Sequence, residues 1–198
     1  MLDPLVVTAT RTARPLSSVG SSLTLITAED LAERQTTYVA DILREVPGVA
    51  VIRQGGPGSL PEVRIRGAEN NHTLVLIDGI EANNPAGEAF YDFGHLLADD
   101  IERIEVLRGP QSVLYGSEAV GGVINIITRH GSGRPRVAGS LEGGSFSTLK
   151  TNASLSSSDE NYDLLVSATH FQTNGISQIK VPYGQPDKDG YRNTTAFE

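Results

Sequence analysis

The sequence predicts a small α+β domain, a mixed sheet with short helices, followed by antiparallel strands of a different character. Two threonine-capped helical patterns near the start and five short apolar segments separated by Gly, Asn and Pro turns predict the first part. A turn cluster, Gly131-Ser132-Gly133-Arg134-Pro135, and the two-sided alternation after it predict the second. At 198 residues with 38% hydrophobic content the chain can bury a real core, while 21 Gly, 10 Pro and 6% aromatic residues call for many tight turns.

In chain order, residues 22–27 read as a strand, and Thr27 caps a helix from Ala28 with Glu29 and Asp30 in its favourable first turn. Thr37 repeats the device for a helix over residues 38–46. Val39, Ile42, Leu43 and Val46 lie on one face of that helix before Pro47-Gly48 stops it. Strands follow at 49–53, 63–66, 74–77, 101–107 and 123–128, with long loops at 54–61 and 80–93 as the domain's functional surface. Leu74 to Ile77 is continuously apolar, as a strand buried on both faces requires, and Asp78-Gly79 is a turn signal that reverses the chain.

Past the turn cluster, Leu149, Thr151, Ala153 and Leu155 share one face while Lys150, Asn152 and Ser154 share the other. Tyr162, Leu164, Val166 and Ala168 alternate in the same way, residues 156–161 supply the turn, and 137–143 is a weaker third strand. Strands of about ten residues with one apolar face suit a membrane barrel. They also suit the edge of a soluble sandwich, which the hairpins by themselves favour.

The formal charge of −8 without a Lys/Arg cluster excludes a nucleic-acid partner. With no cysteine there are no disulfides, thiolate metal sites or cysteine nucleophiles. No apolar run is long enough for a transmembrane helix, and Met1-Leu2-Asp3-Pro4 does not begin a signal peptide, so either a signal was removed or the chain is cytoplasmic. A barrel would also lack such a run. There is no phosphate-binding loop, His72, His95, His130 and His170 are scattered, and no nucleophile sits with a base, so an enzyme is not expected.

Several blocks carry a resemblance: Asp3-Pro4-Leu5-Val6-Val7-Thr8-Ala9; Val46-Pro47-Gly48-Val49; Ile65-Arg66-Gly67; Leu74-Val75-Leu76-Ile77-Asp78-Gly79; Ile104-Glu105-Val106-Leu107-Arg108-Gly109-Pro110-Gln111-Ser112-Val113-Leu114-Tyr115-Gly116; and Gly121-Gly122-Val123-Ile124-Asn125-Ile126-Ile127-Thr128. In this order they resemble the TonB box and plug of TonB-dependent outer-membrane receptors. The resemblance implies three parts: residues 1–15 as TonB box and linker, 16–131 as the plug domain, and 132–198 as the first strands of an outer-membrane β-barrel. The whole would be a piece of a plugged barrel of about 22 strands, of which roughly four are here.

What the resemblance implies for single residues is specific. Leu5, Val6, Val7, Thr8 and Ala9 would be the strand that couples to TonB, the periplasmic energy transducer. A short terminal strand with unpaired N–H and C=O groups suits addition to a partner's sheet edge; the plug's own first strand is the alternative, and the terminal position with the spacer from Arg11 to Pro15 favours coupling. Arg66 and Arg108 each end an apolar strand before a Gly, where burial without a carboxylate is costly. In the family the matching arginines pair with glutamates of the barrel wall, which would lie past Glu198. Gln54, Gly58, Ser59 and Leu60 on one loop, and Asn83, Asn84, Pro85 and Tyr91 on the other, match the apical loops that meet the ligand from below.

Asp187-Lys188-Asp189-Gly190 offers two carboxylates before a turn glycine, usually only a polar loop but able to give oxygen ligands to calcium. Within the family the pattern is nearest to the cobalamin-uptake branch, where such aspartates bind calcium, although Ser177 stands where that branch has a further aspartate. The reading is therefore a monomeric receptor in the outer membrane of a Gram-negative bacterium, contacting lipid and importing a corrinoid. A ferric siderophore is the alternative cargo. A soluble periplasmic or secreted carbohydrate-binding protein is the alternative of another class.

Overall fold

The computed structural model describes residues 3–56, 58–87, 89–131, 133–175 and 191–197, the last segment by its backbone alone beyond Tyr191. The chain opens with β1 (Leu5–Val6), β2 (Arg14–Pro15) and β3 (Ser22–Thr27), then α1 (Ala28–Glu33), α2 (Val39–Leu43), β4 (Val49–Arg53), β5 (Pro61–Ile65), β6 (Thr73–Ile77) and β7 (Ile80–Glu81). After these come β8 (Ile101–Arg108), α3 (Ser112–Tyr115), β9 (Gly122–Thr128), β10 (Arg136–Gly144), β11 (Thr148–Asp159), β12 (Tyr162–Thr173) and β13 (Tyr191–Phe197). They form two compact units. One takes the residues up to Ile52 with Pro61–Thr128; the other takes Arg53–Leu60 with the residues from Arg129 on.

The first unit is built on a five-stranded mixed sheet in the order β3-β8-β9-β6-β7. Strand β9 runs parallel to β6 and antiparallel to β8, while β3 and β7 close the two edges antiparallel to their neighbours. One face carries Ile26, Ile104, Val106, Ile124, Ile126 and Val75 and packs on Leu31 of α1 and on Val39, Ile42 and Leu43 of α2. The other face carries Leu23, Leu107, Val123, Leu74 and Leu76, covered by Ala9, Tyr115 and Ala119. Burial on both faces accounts for the continuous apolar run of β6.

Local signals formed as their chemistry dictates. Thr27 accepts the Asp30 N–H while the Asp30 carboxylate accepts the Thr27 N–H at 2.8 Å, a reciprocal capping box. Asp78 and Gly79, at φ 50° and 81°, make the two-residue turn that pairs Ile77 with Ile80, and glycine takes the second position without steric cost. The Asp78 carboxylate then accepts the Thr128 N–H at 2.9 Å and its hydroxyl at 2.7 Å.

The second predicted helix is shorter than expected. Helix α2 spans Val39–Leu43, and its flanking residue is Tyr38, without a side-chain cap, rather than Thr37. Tyr38 is held by a β-bridge to Leu97, and the Val39 N–H donates to Leu96 O at 3.1 Å, so a non-local strand contact does the work expected of a local cap. Tight turns carry the chain on to Val46. Strand β5 also shifts, to Pro61–Ile65, because Arg66 leaves extended geometry at φ 53°.

The second unit contains the antiparallel meander β10-β11-β12-β13. Residues 156–159, expected in a turn, continue the ladder as far as Asp159 opposite Tyr162, so the turn shrinks to Glu160 and Asn161. Strands β11 and β12 are each 12 residues long, enough to cross a bilayer's hydrocarbon when tilted. The cross-strand row Val137, Leu155 and Val166 lies exposed, with Gly139, Ala153 and Ala168 beside it. The opposite face of β11 and β12 carries Lys150, Asn152, Ser154, Ser167 and Thr169, and Asn152 Nδ2 donates to Thr169 Oγ1 at 2.7 Å. Apolar outward and polar inward is the pattern of a membrane barrel wall, the inverse of a soluble sandwich.

Candidate functional site

Across the five-stranded sheet one transverse row reads Leu25, Glu105, Asn125, Leu76, Glu81, each residue the register partner of the next. Cross-strand partners share a face, so the Glu105 carboxylate and the Asn125 carboxamide stand side by side between Leu25 and Leu76, with the exposed Glu81 at the sheet edge. Glu105 is wholly buried. An ionised group there needs a full set of donors, and the N-terminal segment provides most of them. Glu105 Oε2 accepts the Val7 N–H at 2.9 Å, the Thr8 N–H at 2.8 Å and the Thr8 hydroxyl at 2.6 Å, while Oε1 accepts from Arg103 Nε at 3.1 Å.

A second contact holds the same peptide from its other side. The Tyr115 hydroxyl donates to Thr8 O at 2.8 Å, and the Arg11 guanidinium lies 4.7 Å from the centre of the Tyr115 ring. Burial pushes the Tyr115 hydroxyl above its ordinary range, with Arg11 opposing the shift, so it remains a donor at neutral pH. Tyr115 is brought there by α3, which Pro110 and Gln111 start and Gly116 ends.

Segment 5–9 is therefore not a free strand. Only Leu5 and Val6 are extended, paired with Pro15 and Arg14, and the pairing continues through the Leu16 N–H to Pro4 O and a bond from the Ser17 hydroxyl to the Asp3 carboxylate. Val6 and Thr8 are buried, Leu5 is exposed, and Val7 and Ala9 are half-buried. Val7 and Thr8 are held by side chains, with no ladder, because β8 is an interior strand whose two backbone edges are already paired with β3 and β9.

The expected apical loops divide by burial. Asn84 and Pro85 are exposed, but Asn83 is buried: its Oδ1 accepts the Val75 N–H at 2.8 Å and its Nδ2 donates to Thr73 O and Ala89 O. Asn83 thus ties Ala89 to β6, and its carboxamide is spent on those bonds rather than on a ligand. Tyr91 is half-buried, edge-on to Phe93 at 4.8 Å, and packs on the core. In the second unit Gln54 and Leu60 are exposed, and the Ser59 hydroxyl donates to Gly56 O at 2.7 Å. A Cβ on Gly58 would fall within the Tyr191 ring, so glycine is what lets that loop lie against β13.

The two arginines are not equivalent. Arg66 is exposed rather than buried, because its left-handed backbone turns the side chain out past Gly109. Arg108 is half-buried and donates to Pro47 O at 2.6 Å and Thr24 Oγ1 at 3.0 Å, leaving its Nε without a partner. Among the described residues neither lies within ion-pairing distance of a carboxylate. Asp187 and Asp189 lie outside the described residues. Within the described ones no group of three or more His, Cys, Asp or Glu side chains is placed to hold a metal.

The profile of the TonB-dependent Receptor Plug Domain matches residues 15–123, more than half of the chain. The chain belongs to this family. A variant of the ferric enterobactin receptor of Pseudomonas aeruginosa, solved with enterobactin, is 27% identical with a TM-score of 0.57, over 80% of this chain and 26% of its own. A siderophore receptor of Acinetobacter baumannii is 25% identical with a TM-score of 0.59, over 79% and 25%. The Pseudomonas aeruginosa pyoverdine outer-membrane receptor, solved with pyoverdine, superposes with a TM-score of 0.73 at 21% identity, over 87% and 25%.

The chain thus spans about a quarter of the length of these receptors. A coverage of 87% is more than a plug fills, so the fold is a plug followed by the opening strands of a plugged barrel. Its place is the outer membrane of a Gram-negative bacterium. No helix among the described residues is long and apolar enough to cross a membrane, which says nothing of crossing by strands.

The plug residues that sequence reasoning missed are Glu105, Tyr115 and Arg11. Glu105 carried one signal: it is an acid set among the apolar residues Ile104, Val106 and Leu107 of β8. That signal marks a need for donors but names none. The partner lies 97 residues away.

Proposed function

We propose that the chain is the coupling and plug part of a receptor that imports a ferric siderophore under the control of TonB. The observation that carries this is the attachment of segment 5–9 through the buried Glu105 carboxylate. A segment docked on the five-stranded sheet through one carboxylate and one hydroxyl can leave that sheet without unzipping it, and once its short pairing with Arg14 and Pro15 also opens it becomes an extended strand for a partner's edge. Ligand above the plug would shift the population from docked to released.

Plug residues exposed on each loop would meet the ligand: Asn84 and Pro85 on one, Gln54 and Leu60 on the other, with Gly58 and Ser59 shaping the second. Arg66, exposed and without an ion pair among the described residues, and Arg108, whose buried Nε has no hydrogen-bond partner among them, are the candidates to pair with barrel-wall acids. A ferric siderophore is preferred to a corrinoid because the enterobactin and pyoverdine receptors were solved with siderophores, whereas the corrinoid reading leaned on Asp187 and Asp189. Those two remain the candidate oxygen ligands for calcium.

The test is a binding titration of the complete receptor with ferric enterobactin, ferric pyoverdine and cobalamin, each with calcium and with chelator. Tight binding of a ferric siderophore supports the reading; tight binding of cobalamin alone overturns the cargo. A Val7→Pro receptor should bind its siderophore normally and fail to import it, since the substitution removes a donor and a strand hydrogen bond together. Import at the wild-type rate would contradict the coupling role.

A further inference from the structure

Two asparagines of the plug unit, Asn83 and Asn125, are buried, and the fold treats them in opposite ways. Asn83 uses both ends of its carboxamide, Oδ1 on the Val75 N–H and Nδ2 on Thr73 O and Ala89 O. Asn125 is 3% exposed, and its Oδ1 is buried with no hydrogen-bond donor among the described residues. It stands in β9 between Glu105 of β8 and Leu76 of β6, on the face that the N-terminal segment covers, and lies beneath that segment with Val7 and Arg11 at the same cleft.

The donors at this face are committed elsewhere. The Val7 N–H, the Thr8 N–H and the Thr8 hydroxyl go to Glu105 Oε2, Arg103 Nε goes to Oε1, and the Tyr115 hydroxyl goes to Thr8 O. A carboxamide oxygen is thus left unmet beside a carboxylate that is fully supplied. A buried acceptor without a donor destabilises the state that buries it, whereas an apolar side chain of similar shape does not. The rest of this face of β9 is apolar, with Val123 and Ile127 to either side, so the position suits such a side chain. Sheet neighbours lie beside Asn125, and the segment lies over it. When residues 7–9 lift away, water reaches the face and supplies the missing donor.

We infer that Asn125 tunes the docking contact: its unmet carbonyl raises the energy of the docked state and is relieved when the segment leaves. Glu105 holds the segment, and Asn125 keeps that hold weak enough to reverse. Coupling between two sites is typically worth a factor of about 5–150, so an equilibrium biased much further toward docking would not respond to a ligand. The consequence for import rests on the coupling role proposed above; the tuning itself does not.

Hydrogen exchange at the Val7 and Thr8 amides tests the tuning in the complete receptor without siderophore. Both N–H groups point at a buried carboxylate and exchange when the segment opens. Asn125→Val removes the acceptor and keeps a residue suited to a strand. Exchange of both amides should slow about tenfold, within the range that an unmet buried acceptor accounts for. Asn125→Leu, which fills more of the space, should act in the same direction. A residue that merely held the sheet together would speed exchange when replaced. Slowing in either variant supports the inference; slowing in neither, including because neither folds, overturns it.

Siderophore import by the same variants separates the two readings. Slower exchange should be accompanied by slower import. Slower exchange with import at the wild-type rate leaves the tuning standing and overturns the coupling role.

Discussion

Thr8 and Glu105 stand 97 residues apart in sequence and are joined twice, the Thr8 N–H and hydroxyl both reaching one carboxylate oxygen at 2.8 and 2.6 Å. Both residues are fully buried, so the pair is insulated from solvent competition. The contact sets the plug apart from an ordinary sheet with a loose terminus: the terminus fills a polar hole that the sheet's own residues leave open.

Thr8→Val keeps the size of the side chain and the backbone donor but removes the hydroxyl bond. A hydrogen bond to a charged acceptor contributes about 1.5–3 kcal/mol, so the released fraction of the segment should rise by roughly ten- to a hundredfold. Protease cutting within residues 9–13 of the folded receptor measures it.

Asn83→Ala removes the acceptor of the buried Val75 N–H and both bonds that Nδ2 makes. Leaving such donors and acceptors buried and unmet costs about 1–3 kcal/mol. Hydrogen exchange should show Val75 losing protection. Siderophore affinity should fall only through loosening of the loop, and less than on removal of Asn84, which is exposed.

The α1 cap is pH-dependent with a definite sign. Bonds from the Thr27 N–H, then from its hydroxyl, hold the Asp30 carboxyl below its ordinary value of 3.8. A depressed carboxyl contributes stability that is present above the ordinary value and lost as pH falls through the lower folded one. Protection of the α1 amides should therefore persist at pH 5 and decline only below about pH 4, and Asp30→Asn should remove that dependence.

On the strand unit, Val166 belongs to the exposed row that would face lipid, opposite Leu155. Val166→Arg should cost the complete receptor about 2–4 kcal/mol if the row sits near the bilayer midplane, falling toward nothing near the interface. Urea unfolding in lipid vesicles measures the difference.

The sequence was legible wherever a structural cause is local. Strand β3 and the Thr27 cap lie within a few residues of their signals, and Asp78-Gly79 carries its turn in its own dihedrals. The two-sided alternation of β11 and β12 likewise announced which face is apolar. Signals failed where the cause is distant. Thr37 looked like a cap, but a bridge from Tyr38 to Leu97 sets that helix start. Asn83 looked like a loop surface residue and is instead the loop's anchor. Residues 5–9 looked like a free strand, because nothing near them in sequence says that an acid at position 105 lacks donors.

Segment 5–9 is held by Glu105 and, in the function proposed above, let go when the receptor is loaded. A spin label on Leu5→Cys in the complete receptor tests it most directly, with and without ferric siderophore and in a Glu105→Leu background. The label should be immobile in the empty receptor, mobile on siderophore binding, and mobile under both conditions when Glu105 is Leu. A label that is equally immobile in all four samples would contradict it.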